Sequence, residues 1–126
     1  MKTKERIVDA LKRLGLQPDD DGDQVMFRYQ MSNYVCFVDE DDECYMAFYI
    51  PCIYEITEEN EVVVLKAINE CNLHMKTAKL VSSNGYVWAA YEVHVPEEGS
   101  LEDFVGRAVG CLYQSAICFD QEIKNI

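Results

Sequence analysis

Apolar residues recur along this chain with two periods, and the switches between them predict its elements. In residues 3–14, Ile7, Leu11 and Leu14 fall at i, i+4 and i+7 with Val8 alongside, and charges cover the other face. That spacing predicts a helix, ended by Gly15, which turns without a Cβ clash. From residue 24 the period becomes two. Val25, Phe27 and Tyr29 share one face of a strand over 24–30, with Ser32-Asn33 as the turn into a second strand over 34–38. Residues 44–50 are apolar on both faces, which predicts a third strand covered on both sides. Pro51 is expected to end its ladder pairing, because proline has no N–H to donate.

The helical period then returns. Thr57 followed by Glu58 and Glu59 suits a helix start, and Val64, Leu65, Ile68 and Cys71 with Asn72 form the expected buried stripe of a helix ending near His74. A fourth strand over 79–81 and a fifth over 86–95 flank Asn84-Gly85, a strong hairpin signal. In the fifth, Val87, Ala89, Tyr91, Val93 and Val95 line one face. Ser100, with Asp103 three residues on, resembles a capping box for a last helix over 101–124. Its main stripe runs from Leu101 through Phe104, Val105, Ala108, Leu112, Ser115 and Phe119 to Ile123. A second apolar set, Val109, Tyr113, Ala116 and Ile117, lies beside it. The order is α-β-β-β-α-β-β-α, an α+β fold with a five-stranded antiparallel sheet packed with helices, and 126 residues fit a single domain over 1–126.

Charge narrows the partners. The chain carries 23 acidic and 11 basic residues, a formal net charge of −12. Nucleic acid and anionic membrane surfaces share that sign and are disfavoured. Residues 14–61 hold thirteen acidic side chains against Arg28 alone. The start of the chain has no signal-peptide pattern, and six cysteines without a CxxC pair read as free thiols in a reducing cytoplasm.

Candidate chemistry is thin. Cys71 and His74 are three apart on a helix, but two ligands do not make a zinc site. A Cys–His nucleophile needs proximity and an orienting group, and most of the cysteines fall on expected core faces. The acidic runs 19–23 and 39–43 lack the Gly and Glu spacing of an EF-hand and read as solvated turns. Gly106 and Gly110 suggest close packing against the last helix. No phosphate-binding glycine loop occurs. The expectation is therefore no catalytic residue, no metal and no cofactor.

The second half carries a family resemblance. The stretch Leu65-Lys66-Ala67-Ile68-Asn69-Glu70-Cys71-Asn72, the Ser83-Asn84-Gly85 turn, the long strand Tyr86–Val95 and the terminal helix starting at Ser100 are similar to YbjN-type domains of bacterial proteins. The whole element order resembles the related type III secretion chaperones. The resemblance implies a non-enzymatic, often dimeric protein with a chaperone-like or regulatory role. Tyr45, Tyr49, Tyr86 and Trp88 are the candidate partner-binding face, since aromatics favour interfaces; the same residues would equally suit a sheet face covered by a helix. Val109, Tyr113, Ala116 and Ile117, with the long strand, are the candidate homodimer contact. A protein or peptide partner is the first reading. A small-ligand sensory or regulatory domain with a pocket between sheet and last helix is the alternative, and a Cys–His enzyme the third.

Overall fold

In a computed structural model, which describes residues 2–125, three helices pack on one face of a single antiparallel sheet. The helices are α1 (Thr3–Arg13), α2 (Glu61–His74) and α3 (Glu102–Lys124). The strands are β1 (Asp19–Asp20), β2 (Gln24–Tyr29), β3 (Ser32–Phe37), β4 (Tyr45–Glu55), β5 (Lys79–Ser83) and β6 (Tyr86–His94). Their order across the sheet is β1-β2-β3-β4-β6-β5. The sheet thus has six strands where the sequence predicts five. The addition is Asp19–Asp20, which pairs with Val25 and Met26 and has no apolar alternation to mark it.

Two turns explain further differences. β2 and β3 are joined at Gln30-Met31, both at positive φ (49° and 67°), and Ser32-Asn33 belong to β3. Paired positive φ is the two-residue hairpin geometry that Asn-Gly normally supplies; Gln-Met adopts it without that signature. Asn84-Gly85 (φ 51° and 82°) makes the same turn with the expected residues. β4 does not stop at Pro51. Its ladder to β6 breaks after Ile50 and resumes at Tyr54, with Cys52 at φ 52° in the bulge. The proline sits where a ladder hydrogen bond is already missing, so it costs no pairing.

The core follows from the alternation. Met46, Phe48 and Ile50 of β4 meet Val87, Ala89 and Tyr91 of β6 and the α3 stripe Val105, Ala108, Leu112 and Ser115, all buried. Phe27 stacks on Tyr34 at 5.1 Å and meets the Phe48 edge at 5.9 Å. On α2 the buried stripe is Val64, Ala67, Ile68 and Cys71; Leu65, expected there, is exposed. Helix α2 begins only at Glu61, because Thr57 and Asn60 close a turn first: the Asn60 N–H donates to Thr57 Oγ1 (3.2 Å) and the Thr57 N–H to Asn60 Oδ1 (2.7 Å). Ser100 Oγ accepts from the Glu102 N–H (3.2 Å), so it steadies the approach to α3 without the expected Asp103 box.

Asn72 fixes the sheet's β5 edge. Its side-chain Nδ2 donates to the Leu80 carbonyl (2.9 Å), and its Oδ1 accepts the Leu80 N–H (2.8 Å), as a neighbouring strand would. Lys79 Nζ donates to the Asn72 and Met75 carbonyls (2.9 and 2.7 Å), closing the C-terminus of α2. The expected close packing at Gly106 and Gly110 does not occur. A Cβ at Gly106 would meet Leu14 at an ordinary 3.9 Å, and one at Gly110 would meet nothing within 4 Å.

Two stability predictions follow from these contacts. Asn72→Ala leaves the Leu80 amide and carbonyl half-buried and unpaired, and should cost about 1–3 kcal/mol in urea unfolding. Gly110→Ala fills open space in a helix interior and should stabilise by about 0.5–1 kcal/mol. A loss of stability on Gly110→Ala would show that something packs against that glycine in solution.

Candidate functional site

The face of the sheet turned away from the helices is a surface built by strand register. On β4, Tyr45, Ala47 and Tyr49 alternate with the core residues and point to this side; on β6, Tyr86, Trp88, Ala90, Glu92 and His94 do so. Pairing sets Tyr49 between Val35 and Ala90, Ala47 between Phe37 and Glu92, and Trp88 opposite Val81. Helices α1, α2 and α3 all lie on the other side, so the expectation that β4 is covered on both faces is not met. Tall side chains do the covering instead. Ala47 and Val35 are buried at 1% and 6% exposure among the aromatic residues around them. Phe37, Met26 and Val81 remain about two-fifths exposed.

The aromatic contacts cross three strands. The Phe37 and Tyr49 ring centroids are 5.7 Å apart, and Tyr49 and Trp88 6.2 Å apart, each pair edge to face. The Tyr49 hydroxyl donates to Glu92 Oε1 at 2.6 Å. Burial, followed by acceptance of that proton by the Glu92 carboxylate, raises the Tyr49 phenol well above its ordinary value; burial and Glu92 raise Tyr45 as well. Trp88 Nε1 is shut off from solvent with no acceptor. Of the four aromatic residues predicted for this face, the fold thus brings Tyr49 and Trp88 into contact and sets Tyr45 in the same row of β4. Tyr86 shares the face, exposed at the hairpin end of β6. Phe37, Met26, Val35 and Val81 complete it, and sequence reasoning missed them. Their alternation was legible, but which rows align depends on register.

The other candidates fare differently. Val109 is 5% exposed and belongs to the core, so it is removed from the expected dimer contact. Tyr113 packs edge-on to Tyr29 at 5.6 Å, and with Ala116 and Ile117 it stays half-buried. Strand β6 is paired on both sides, to β4 and β5, and offers no free edge for a subunit contact. Exposed apolar residues also occur on α2, at Val62, Leu65 and Leu73.

The histidines meet carboxylates. His74 Nε2 lies 2.9 Å from Glu70, and His94 Nε2 3.7 Å from Asp42. Among the described residues no three His, Cys, Asp or Glu side chains converge as metal ligands. Between sheet and α3, where the small-ligand reading places a pocket, Val105, Ala108, Leu112 and Ser115 fill the space. A depression of about 760 Å³ lies instead near the β1 edge, open to solvent and lined in part by Leu16, Met26, Arg28, Asn33 and Pro51.

No protein-family model matches the chain, and no curated protein matches it. Among solved structures, the crystal structure of YbjN from E. coli superposes with a TM-score of 0.68, covering 92% of this chain and 87% of that one at 10% identity. The chain has the YbjN-type fold. YbjN itself is described as a proposed transcription regulator. No helix among the described residues is long and apolar enough to cross a membrane.

The phenols of this site and of buried Tyr34 give a pH prediction. Burial, the leading cause at each, raises Tyr34 and Tyr49 in the folded state. The unfolded chain therefore releases these protons first, near pH 10. Their contribution to stability is whole below that pH and is lost as pH rises through the folded values. Unfolding free energy should fall steeply above about pH 10, and Tyr34→Phe should flatten the slope. An unchanged slope in that variant would count against a neutral, buried Tyr34.

Proposed function

We propose that the chain is a non-enzymatic protein-binding domain, chaperone-like or regulatory, that docks a protein or peptide on the open face of its sheet and works as a homodimer. The observation that carries this reading is the continuous patch from Met26 and Phe37 through Tyr49 to Trp88 and Val81, left without a covering helix. Such a face combines apolar area with polar handles: the Tyr49–Glu92 hydrogen bond, the Tyr45 hydroxyl and the unpaired Trp88 indole N–H. Aromatic residues with one polar end are the residue types that anchor protein interfaces. An acceptor on the partner that reached the indole, after a small side-chain shift, would offset about 1–3 kcal/mol of unpaired donor.

A regulatory role of the kind proposed for YbjN would here run through protein contacts. The −12 charge opposes binding along a phosphate backbone, and Glu92 stands on the candidate face itself. The proposed homodimer contact is α3, through Tyr113, Ala116 and Ile117, which are half-buried, whereas Val109 belongs to the core.

The test is comparative capture from an extract of the source organism. Phe37→Arg combined with Val81→Arg places two charges on exposed positions of the face, and Leu73→Arg places one on α2 as a control. A protein retained by the wild type and by Leu73→Arg, and reduced about tenfold or more by the double variant, is the expected result, because each buried unpaired charge costs well over 1.4 kcal/mol. Equal capture by all three would reject the face. Sedimentation at micromolar concentration checks the dimer: the expected mass is twice 14.5 kDa, falling to the monomer in Ile117→Glu. A wild-type monomer would contradict that part.

A further inference from the structure

The geometry points to a dithiol at Cys71 and Cys118 that closes to an intramolecular disulfide between α2 and α3, making this pair a reversible oxidation site. The two Sγ atoms are 2.9 Å apart, although 47 residues separate them in the chain. They lie on facing sides of the two helices, so the backbone already holds them together. A disulfide bond is about 2.05 Å long, and closing it asks the sulfurs to approach by less than an ångström.

The two thiols differ in a way that assigns their roles. Cys71 is fully buried on α2, and burial, then the neighbouring Cys118 thiol, pushes it up to about 12. Cys118 is half-buried on α3, the more accessible residue of the two. With a low-molecular-weight disulfide as oxidant, Cys118 loses its proton to solvent. Its thiolate attacks one sulfur of the oxidant, and one thiolate leaves and takes a proton from solvent. The Cys71 thiol then gives its proton to solvent base, attacks the Cys118 sulfur of the mixed disulfide and expels the second thiolate, which takes a proton from solvent. Two protein thiols are oxidised by two electrons, one oxidant disulfide is reduced to two thiols, and the protein becomes lighter by two hydrogen atoms. The second step is intramolecular between groups already in contact, so it should outrun any pairing of distant cysteines. The remaining four cysteines are elsewhere. Cys36 is buried and its thiol is raised by burial, Cys52 is exposed in the β4 bulge, Cys44 precedes β4, and Cys111 takes a 3.7 Å contact from Thr77 Oγ1.

The pair lies between α2 and α3, away from the open face of the sheet. The bond would tie α2 to α3 and close a long loop in the unfolded chain, which stabilises a fold of this size by about 10 °C in Tm.

The experiment treats the reduced, full-length protein with oxidised glutathione under native conditions, then blocks free thiols and maps the disulfides by non-reducing peptide mass spectrometry. Cys111 is replaced by Ala in a parallel sample, because no Lys or Arg separates it from Cys118 and trypsin leaves both on one peptide. Expected is a Cys71–Cys118 cross-link in both samples, exceeding any other pair about tenfold, with a raised Tm that dithiothreitol reverses. In Cys71→Ala, glutathione should remain trapped on Cys118. In Cys118→Ala, which trims a half-buried side chain at the edge of the core, Cys71 should stay unmodified. Exposed Cys52 reports that the oxidant has acted. Glutathione on Cys52 with no Cys71–Cys118 bond, or glutathione accumulating on wild-type Cys118, would overturn the proposal.

Discussion

Strand β4 is shared between two surfaces, and the rest of the molecule is arranged around that constraint. It pairs with β3 on one side and β6 on the other, and it is apolar on both faces. Its inner row, Met46, Phe48 and Ile50, is buried beneath the helices, where each side chain contributes about 1.5–3 kcal/mol of burial. Its outer row, Tyr45, Ala47 and Tyr49, has no helix above it. One strand therefore supplies both the centre of the core and the centre of the exposed aromatic face. A change of register by one residue would exchange the two rows and destroy both.

The outer face is made tolerable to water by its own side chains. Ala47, Ala90 and Val35 are short and lie low, while Phe37, Tyr49 and Trp88 stand beside them and close over the sheet backbone. Hydroxyls and carboxylates then furnish the rim, with Tyr49 bonded to Glu92 at 2.6 Å. The result is a flat apolar area held in a fixed geometry, which lowers the ordering cost of binding to it. The sheet's own ends are guarded against pairing with other strands. β1 is two aspartates long, and the β5 edge is engaged by the Asn72 side chain at Leu80.

Much of this was legible in the sequence where periodicity is strong. The α3 stripe, the alternation in β2 and β6 and the Asn84-Gly85 turn all lie where the pattern puts them, and the YbjN-type resemblance agrees with the superposition at the level of fold. The misses have local causes. Gln30-Met31 makes a tight turn without turn residues, Pro51 falls in a bulge that spares the ladder, and Leu65 sits one position off the buried stripe of α2. Long-range juxtapositions left no trace in one dimension. Phe37 beside Tyr49, and Cys71 beside Cys118, are set by register and helix packing, and no spacing rule reaches across 47 residues. Val109 shows the same limit from the other side: its position on α3 allowed either face, and packing chose the core.

Hydroxyl-radical footprinting of the sheet face, in the free protein and with its captured partner, tests the central claim most directly. Met26, Phe37, Tyr86 and Trp88 should be oxidised readily in the free protein and protected on binding, while Leu73 and Val62 on α2 keep their labelling. Protection of the α2 residues with no change on the sheet face would contradict the account.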